Sequence, residues 1–214
     1  NNSKEKIKII PTWVDTDEIR PINKHENRFA IEYNQINKIT VMYSGNFGYT
    51  HDTQTLIQVA ELLSDNHEIN FMFIGEGKDF EFYRNNKSNL KNVIFLPWQS
   101  RSSLKFSLAC ADIGFVTLQQ GIEELSMPSK TYYYMAAGAA IIGVSNTPSD
   151  LNTLLEKNKC GFNLPPGNVK EIVEKILYFK KNKHILEKYK KRSRICAVND
   201  FSKEKCMNKV LTLL

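Results

Sequence analysis

One stretch of the sequence, SMPSKTYYYMAAG at residues 126–138, combines side chains that suit anion binding. Ser126 is expected to cap a helix, and Pro128 suits the first turn because proline has no N–H group to lose. Ser129 and Lys130 would then lie in that first turn, beside the free N–H groups of the helix. A hydroxyl, an ammonium and free amides together favour a phosphate or diphosphate as the ligand.

Three consecutive tyrosines follow, at positions Tyr132, Tyr133 and Tyr134. Successive residues of a helix are about 100° apart, so the three rings cannot share one face. At least one ring is therefore expected to point away from the core. An aromatic core helix is the other interpretation of the stretch, and the sequence leaves both open.

Glycines follow two of the predicted strands. Gly45 and Gly48 lie after the first strand, and Gly75 and Gly77 lie after the second. Glycine lets the backbone approach a ligand closely, and the helix that follows offers free N–H groups. Neither loop is a GxGxxG motif or a P-loop, so a plain tight turn explains each of them as well as a binding site does.

An aromatic and an amide end the third predicted strand, in the run Pro97, Trp98 and Gln99. An indole can stack on a flat base, and an amide can hydrogen-bond to its edge. These residues are therefore candidates for binding a nucleotide base. A surface tryptophan that packs on a neighbouring loop would look the same in sequence.

Catalytic and metal motifs give weaker signals, since the sequence contains no GxSxG elbow, HExxH helix or EF-hand loop. Glu123 and Glu124 are a candidate acid–base pair, although adjacent carboxylates rarely reach the same atom. His51 lies near the carboxyl end of a predicted strand, where a solvated loop position explains it equally well. The four cysteines form no CxxC pair and have no histidine at ligand spacing, so a reduced cytoplasmic protein without metal or cofactor is expected.

The net charge of +6 is unevenly distributed, because residues 180–194 carry eight of the 29 lysines and arginines. A solvated helical face explains such a run. Attraction to anionic lipid head groups is the alternative, at about 1 kcal/mol for each basic residue near the surface. No motif for nucleic acid accompanies the charge, so a nucleic-acid partner is not expected.

These candidate residues need a scaffold that brings the ends of strands together. Short apolar runs alternate with longer amphipathic runs along the chain, which predicts βαβ units. The fold class expected is α/β, with a Rossmann-like doubly wound parallel sheet and C-terminal helices. Ligands of such sheets bind outside the carboxyl ends of the strands. The predicted strands cover 38–45, 69–75, 92–97, 112–118 and 139–144, with a sixth candidate at 160–165.

In their order along the chain, the loop motifs resemble the C-terminal domain of glycosyltransferase family 4, and within it bacterial enzymes that assemble O-antigen and capsule. The motifs that carry the resemblance are YSGNFGYTHDTQTLIQVAELL, FMFIGEG, NVIFLPWQ, LACADIGFVTL and EELSMPSKTYYYMAAGAAIIGV. The run IIPTWVDTDEIRPI resembles the segment that leads into this domain.

The resemblance implies one half of a GT-B fold, in which two Rossmann-like domains face each other across a cleft. Enzymes of this kind are metal-independent and retain the anomeric configuration. Residues 38–214 would be the domain that binds a nucleotide-sugar, UDP-linked, and 1–37 the lead-in segment with a first helix. An N-terminal domain for a glycan or polyprenyl-linked acceptor would be absent, which would make the chain an inactive fragment. Its location would be cytoplasmic, or peripheral at the inner face of the cytoplasmic membrane.

The resemblance also implies roles for single residues, in three groups around the donor. The implied residues are Gly45, Asn46, Arg101, Ser129 and Lys130 for the diphosphate; Glu123, Glu124, Leu125, Ser126 and Met127 for the sugar; and Gly75, Glu76, Pro97, Trp98, Gln99 and Tyr133 for the base and ribose.

Two departures from the family pattern affect these roles. Many members carry two glutamates separated by seven residues, of which the second binds ribose. The corresponding positions here are Leu125 and Tyr133, and the nearest acid, Glu123, comes two residues early. Either the Tyr133 hydroxyl faces the cleft and replaces the carboxylate, or the ribose is held elsewhere. Many members also place an arginine and a lysine in the first loop and helix, and here Lys130, with Arg101, would have to supply that charge.

Two other functions remain open from the sequence. An epimerase of the same GT-B architecture would convert a UDP-sugar in the absence of any acceptor. A non-catalytic α/β interaction module, such as a receiver-like domain, would need acidic residues at the end of the first strand. That strand ends instead in Tyr43 and Ser44, which disfavours the interaction module.

Overall fold

The computed structural model describes residues 8–48, 51–121 and 127–213. In these ranges six strands form one parallel sheet, and all six predicted runs are confirmed as strands, with ends that agree to within one residue. Both faces of the sheet are covered by helices, which explains why the strands are almost continuously apolar. The strands are β1 (Ile39–Asn46), β2 (Ile69–Glu76), β3 (Val93–Leu96), β4 (Ile113–Thr117), β5 (Ala140–Val144) and β6 (Gly161–Leu164).

Nine helices accompany the strands in the described part of the chain. Asp52 and Ser149 cap two of them by accepting hydrogen bonds from the N–H groups of Thr55 and Asn152, both at 3.1 Å. The helices are α1 (Arg28–Glu32), α2 (Thr53–Leu62), α3 (Lys78–Lys87), α4 (Arg101–Cys110), α5 (Lys130–Ala137), α6 (Asp150–Asn158), α7 (Val169–Lys181), α8 (Lys183–Asp200) and α9 (Lys203–Leu211).

The strand order is β3-β2-β1-β4-β5-β6, which confirms the doubly wound arrangement. From β1 the chain first builds outward through β2 and β3, and then crosses over to β4 on the other side of β1. The sheet therefore reverses its winding between β1 and β4. Two apolar cores result, one on each face: α2, α3 and α7 contribute to the first, and α4, α5, α6 and α8 contribute to the second.

The segment before β1 packs on the second core. Val14 is buried, its N–H donates to the Phe201 carbonyl at 3.0 Å, and its own carbonyl accepts from the Lys203 N–H at 3.1 Å. The guanidinium of Arg194 in α8 donates to the carbonyls of Thr16 and Ile19 at 2.9 and 3.0 Å. These bonds hold the lead-in segment on the same body as the sheet.

A buried ion cluster occupies the amino-terminal edge of the sheet. The Asp112 carboxylate accepts from the ammonium of Lys24, from the ammonium of Lys190 at 3.1 Å and from the N–H of Thr40 at 2.9 Å. Burial alone would raise the pKa of Asp112, but the two lysines outweigh it and hold that pKa below its ordinary value. The cluster connects the lead-in segment, the sheet and α8.

Across the described ranges, no helix has both the length and the apolar character needed to cross a bilayer. The basic run predicted at 180–194 lies at the end of α7 and in α8. Lys183, His184, Lys188 and Lys191 are exposed there, whereas Lys190 and Arg194 are engaged in the contacts described above.

Candidate functional site

The carboxyl ends of β1 and β4 define the candidate site, because the winding reverses between these strands. The helix after β1, α2, packs on one face of the sheet, whereas α5, after β4, packs on the other. The first turns of the two helices therefore diverge and leave a crevice above the strand ends. Doubly wound sheets bind their ligands in crevices at this point.

Tyr134 fixes α5 against both strands. Its ring fills the space above Gly114 of β4, where an added Cβ would lie 2.5 Å from a ring carbon. Its hydroxyl accepts a hydrogen bond from the Ser44 N–H of β1 at 2.7 Å. Lys130 lies one turn earlier on the same side of α5, so its side chain is directed at the end of β1.

The start of α5 differs from the sequence prediction. The helix begins at Lys130 with Ser129 as its N-cap residue, and Pro128 precedes the helix instead of lying in its first turn. The N–H groups of Thr131 and Tyr132 donate to the carbonyls of Pro128 and Ser129, both at 3.0 Å. A tight turn before the helix thus occupies two of the amides that we expected to be free for an anion.

The ammonium of Lys130 lies 3.9 Å from the centre of the Tyr43 ring. A Cβ at Gly45 would lie only 2.4 Å from Nζ, so the missing side chain of Gly45 leaves the room that the ammonium occupies. Nζ is buried and has no hydrogen-bond partner among the described residues. A cation–π contact contributes on the order of 2 kcal/mol when it is desolvated and does not replace the hydrogen bonds that a buried ammonium loses. An anion would supply them.

Burial in the crevice changes the pKa values of the Lys130 ammonium and of His51 near it. Burial lowers the pKa of Lys130 to about 7, because surroundings of low polarity disfavour the charged form. Burial, and then the charge of Lys130, lower the pKa of His51 to about 4. A bound anion would stabilise the charged form of Lys130 and raise its pKa.

His51 is half-buried beside Tyr43, with ring centres 6.0 Å apart in an edge-on arrangement. His51 therefore lies in the loop after β1, as the sequence allowed, but it is only partly solvated. Its low pKa makes it neutral at pH 7, so it adds no positive charge to the crevice.

Two hydroxyls are buried in the same way as the Lys130 ammonium. The Oγ1 atoms of Thr117, at the end of β4, and Thr131, in the first turn of α5, are buried and lack a hydrogen-bond partner among the described residues. Thr117 lies beside the hydroxyl of Tyr43, whose proton is donated to the Asn46 carbonyl at 2.8 Å. Buried polar atoms are almost always paired in proteins, so the Lys130 ammonium points to a ligand or to ordered water.

Gly75 has a structural role at the same edge. It lies opposite Gly45 in the β1–β2 pair with φ at +152°, and a Cβ there would come within 1.9 Å of the Gly45 carbonyl oxygen. Only glycine fits so close to the neighbouring strand. Gly45 thus borders the candidate site. The close packing of the two strands is enough to explain why position 75 is a glycine.

Tyr133 and Arg101 lie together on the wall of a second cavity, of about 400 Å³, between the first turns of α4 and α5. Tyr132 and Tyr134 are buried, and Tyr133 is half-buried and packs at the margin of the second core, so the three rings do not share one environment. The structure therefore places Tyr133 on the wall of a cavity, and its part in holding the ribose stays a prediction. Arg101 is 90% exposed and its guanidinium lies 3.9 Å from the Glu18 carboxylate, so it borders this cavity and not the buried ammonium.

The remaining predicted site residues are more dispersed. Pro97 and Trp98 are exposed at the end of β3, the edge strand, and the Gln99 amide turns back to the Pro97 carbonyl at 2.9 Å. Asn46 and Glu76 are exposed neighbours at the ends of β1 and β2.

Five of the predicted donor-sugar and cap positions come directly before Pro128. Glu123, Glu124, Leu125 and Ser126 lie outside the described residues. Met127 is half-buried and packs against the second core. The implied contacts of this group with a donor sugar stay predictions.

Sequence reasoning missed three residues near the candidate site. Tyr43 contacts the Lys130 ammonium, Thr117 lies beside the Tyr43 hydroxyl, and Trp13 lines the cavity of Tyr133. Thr117 could have been found, because it ends the strand that flanks the predicted reversal of winding. The contribution of Trp13 depends on the path of the lead-in segment across the fold, which has no local signal.

The fold and the site together define a doubly wound α/β domain with a buried cation at its topological switch point, the arrangement of a domain that binds a phosphorylated ligand. The chain belongs to the glycosyl transferases group 1, whose family model matches residues 24–196.

Relatives agree with this family. The chain is 24% identical over 172 residues to a probable glycosyltransferase, WbjE, of Pseudomonas aeruginosa, covering 78% of this chain and 42% of WbjE. It is 28% identical over 122 residues to WcaI of Escherichia coli, a putative colanic acid biosynthesis glycosyl transferase, covering 56% of this chain and 30% of WcaI. The chain thus spans less than half the length of these two relatives.

A crystal structure of HepE from Anabaena in complex with UDP-glucose has the same fold as this chain, with a TM-score of 0.78 at 13% identity. The match covers 97% of this chain and 57% of HepE. At this level of identity the likeness shows the architecture alone.

Proposed function

We propose that this chain is the donor-binding half of a glycosyltransferase that takes the sugar of a UDP-linked donor. The observation that carries the proposal is the buried ammonium of Lys130 at the switch point of the sheet, which has no hydrogen-bond partner in the ranges that the structure describes. Membership in the glycosyl transferases group 1 supports sugar transfer, and the UDP-glucose complex of HepE supports a uridine donor.

Lys130 would act on the leaving group. When the bond between the anomeric carbon and the diphosphate oxygen breaks, the electron pair remains on the oxygen and the negative charge of the UDP increases. An ammonium fixed in a poorly solvated crevice stabilises that charge strongly, because no solvent has to reorganise around it. We infer that the ammonium replaces a metal ion, and that the reaction retains the anomeric configuration as in GT-B enzymes of this kind.

The acceptor would be a glycan or polyprenyl-linked sugar of a bacterial surface polysaccharide. The names of WbjE and WcaI, a glycosyltransferase and a colanic acid enzyme, support such a role. The exposed lysines of α8 support contact with an anionic membrane surface, where a lipid-linked acceptor would lie. Co-sedimentation with vesicles of anionic lipid, and its loss at high salt, would test the membrane contact.

Calorimetric titration with UDP, GDP and ADP tests the proposal. We expect UDP to bind to this chain, and Lys130→Ala to weaken binding about tenfold or more, since hydrogen bonds to charged groups contribute roughly 1.5–3 kcal/mol. Lys78→Ala is the matched control: Lys78 begins α3 after β2 as Lys130 begins α5 after β4, but it is exposed.

Equal UDP affinity in the wild-type chain and the Lys130→Ala variant would contradict the diphosphate assignment. Tighter binding of GDP or ADP than of UDP would contradict the uridine donor while leaving the diphosphate assignment intact. Conversion of a UDP-sugar by the protein without any acceptor would instead support the epimerase.

A further inference from the structure

A cavity of about 450 Å³ lies at the β6 edge of the sheet, where β6, α7 and α8 meet, away from the crevice of Lys130. We propose that this cavity binds one sugar unit of a neutral glycan, as a second binding site of the chain. The inference goes beyond the proposed function, which concerns the carboxyl ends of the strands. It takes from that function only the expectation that the chain meets a glycan.

Five residues from three elements of the fold line the cavity. Phe162 comes from β6 and Tyr189 from α8, while α7 provides Glu174, Lys175 and Tyr178. Glu174 and Tyr178 are one turn apart on α7, so the carboxylate and the phenol ring lie on the same face of the helix. The cavity therefore combines three aromatic rings with one acidic and one basic group.

The three rings form a continuous aromatic surface around Phe162. The centre of the Phe162 ring lies 5.3 Å from that of Tyr189, with the ring planes at 33°. It lies 6.5 Å from the centre of the Tyr178 ring, with the planes at 75°. Tyr178 thus stands as a wall beside two rings that are more nearly parallel, and such a corner can contact a ring-shaped ligand on a face and on an edge.

Core packing explains two of these rings but not the third. Phe162 and Tyr189 are half-buried and pack against the first core, beside the buried ring of Phe179. Tyr178 is 43% exposed, although the next residue, Phe179, is buried. Exposed aromatic surface that is continuous with other rings, instead of scattered singly, is typical of a binding surface.

The charges of the cavity indicate a neutral ligand. Aromatic rings beside a carboxylate often bind a cation, but here the chain supplies its own, because the ammonium of Lys175 lies 5.0 Å from the centre of the Phe162 ring. The charges of Glu174 and Lys175 also cancel. The cavity therefore attracts neither an anion nor a second cation strongly.

A pyranose sugar has the chemistry that matches this cavity. One face of the sugar carries C–H groups that pack on aromatic rings, and its rim carries hydroxyls that both donate and accept hydrogen bonds. The Glu174 carboxylate can accept from such hydroxyls and the Lys175 ammonium can donate to them. An apolar peptide segment would use the rings but neither of these two groups.

The cavity is separate from the donor site. β4 and β5 lie between β6 and β1, which sets β6 roughly 14 Å from β1 across the sheet. A sugar at β6 therefore does not compete with a nucleotide at Lys130. A glycan held here would stay close to the enzyme between reactions, because a second contact on the same polymer raises its local concentration.

Saturation-transfer NMR tests the inference, with short neutral oligosaccharides of glucose, galactose, mannose and N-acetylglucosamine as the ligands. With saturating UDP present to occupy the donor site, we expect at least one of them to receive magnetisation through the C–H groups of a sugar ring. Tyr178→Ala should weaken its binding about fivefold or more, since aromatic side chains dominate the energetics of such surfaces. Tyr178→Phe, which keeps the ring, should retain most of the affinity.

Phe82→Ala is the matched control. Phe82 is also an exposed aromatic on a helix, 59% exposed on α3, and its ring centre lies 5.6 Å from that of a tyrosine, Tyr83. This change should leave oligosaccharide binding as it is in the wild type. UDP affinity should be the same in all the variants, which shows that each of them is folded.

The outcomes separate the inference from the proposed function. Equal oligosaccharide binding by the wild type and Tyr178→Ala overturns the inference, and so does the absence of any oligosaccharide signal when UDP is present. Binding of tetramethylammonium that is lost in Tyr178→Ala would show a cation site and would also overturn it. If UDP fails to bind the wild type while an oligosaccharide binds and depends on Tyr178, the proposed function fails and the sugar site remains.

Discussion

The two edges of the parallel sheet use buried lysines in opposite ways. At the amino-terminal edge, Lys190 is paired with Asp112, and although burial opposes its charged form, the nearby carboxylates raise its pKa. At the carboxyl-terminal edge, Lys130 is buried without a counter-charge among the described residues, and its pKa is lowered to about 7.

The difference separates a charge that stabilises the fold from a charge reserved for a ligand. Removing a lysine from water is costly unless an anion accompanies it. The amino edge provides that anion from the chain itself, through Asp112. At the carboxyl edge the contact that the described residues offer the Lys130 ammonium is the ring of Tyr43, so we infer that a ligand supplies the anion.

The largest expected effect is on folding stability, at the amino-terminal edge where Asp112 is paired with two lysines. Asp112→Asn keeps the shape of the side chain but leaves Lys24 without its counter-charge and Lys190 with only the exposed Glu187, so we expect about 3 kcal/mol less stability in urea unfolding. Since the pKa of Asp112 is lowered, its contribution is present above the unfolded pKa of about 3.9 and is lost as the pH falls through the folded value.

Glu187→Gln is the matched control for Asp112→Asn, because Glu187 also contacts Lys190, at 2.8 Å, but is 67% exposed. Exposed ion pairs contribute about 1 kcal/mol or less, so this change should cost little stability. UDP affinity should be unchanged in both variants. Reduced UDP affinity in Asp112→Asn at a pH where it is fully folded would contradict the separation of roles between the two edges.

The next effect in size is the pH dependence of UDP binding at Lys130, on the carboxyl-terminal edge of the sheet. Within the described ranges, the titratable groups near Lys130 are Tyr43, Tyr134 and His51, none of which changes charge between pH 7 and 9, since burial raises the pKa of both tyrosines and His51 is already neutral. Phosphates lose their second proton near pH 6, so UDP is also constant in this range. Binding must then return a proton to Lys130, and affinity should fall by up to tenfold per pH unit above 7.

Calorimetry in two buffers of different ionisation enthalpy measures this proton directly. At pH 8 we expect uptake of up to one proton for each UDP bound, and no such uptake in Lys130→Ala. Affinity that stays constant from pH 7 to pH 9 would show that Lys130 is charged before the ligand arrives.

Much of this architecture could be predicted from sequence, because it follows from local patterns. Apolar runs and their spacing give all six strands to within one residue, and the βαβ alternation gives the doubly wound sheet. The position of Lys130 at the switch point also follows, since Pro128 and the small residues after Met135 delimit the helix.

The partners of each charge could not be predicted, because they come from distant parts of the chain. Asp112 contacts Lys24 and Lys190, which lie 88 and 78 residues away. Trp13 reaches the cavity of Tyr133 through a path that no local pattern records. The turn before α5, which occupies two amides, depends on geometry that the proline alone does not specify.

A smaller effect tests the cost of the unpaired ammonium. Lys130→Met keeps the length of the apolar stem and removes the buried charge, so we expect the free energy of unfolding to rise by about 1–2 kcal/mol at pH 7. The unfolded lysine binds a proton that the folded one releases between pH 7 and about 10.5, so the wild-type chain gains stability as the pH rises and the difference shrinks.

Thermal unfolding of both proteins without ligand, at pH 7 and pH 9, measures this difference. Lys78→Met, at the exposed equivalent position, should leave stability nearly unchanged. A loss of stability in Lys130→Met would mean that the ammonium already has a partner and that the two edges do not differ.

The smallest effect concerns Tyr133, the residue at the position where the family pattern places a ribose-binding glutamate. Its side chain lines the cavity beside the diphosphate site, so its hydroxyl can accept or donate a hydrogen bond to a ribose hydroxyl. Tyr133→Phe should weaken UDP binding about fivefold and leave pyrophosphate binding unchanged, since a neutral hydrogen bond contributes roughly 1 kcal/mol. Tyr132→Phe, on the adjacent and buried tyrosine, is the control. If Tyr133→Phe binds UDP as tightly as the wild type, the carboxyl edge holds the ribose through another group, and Tyr133 serves only as an apolar wall.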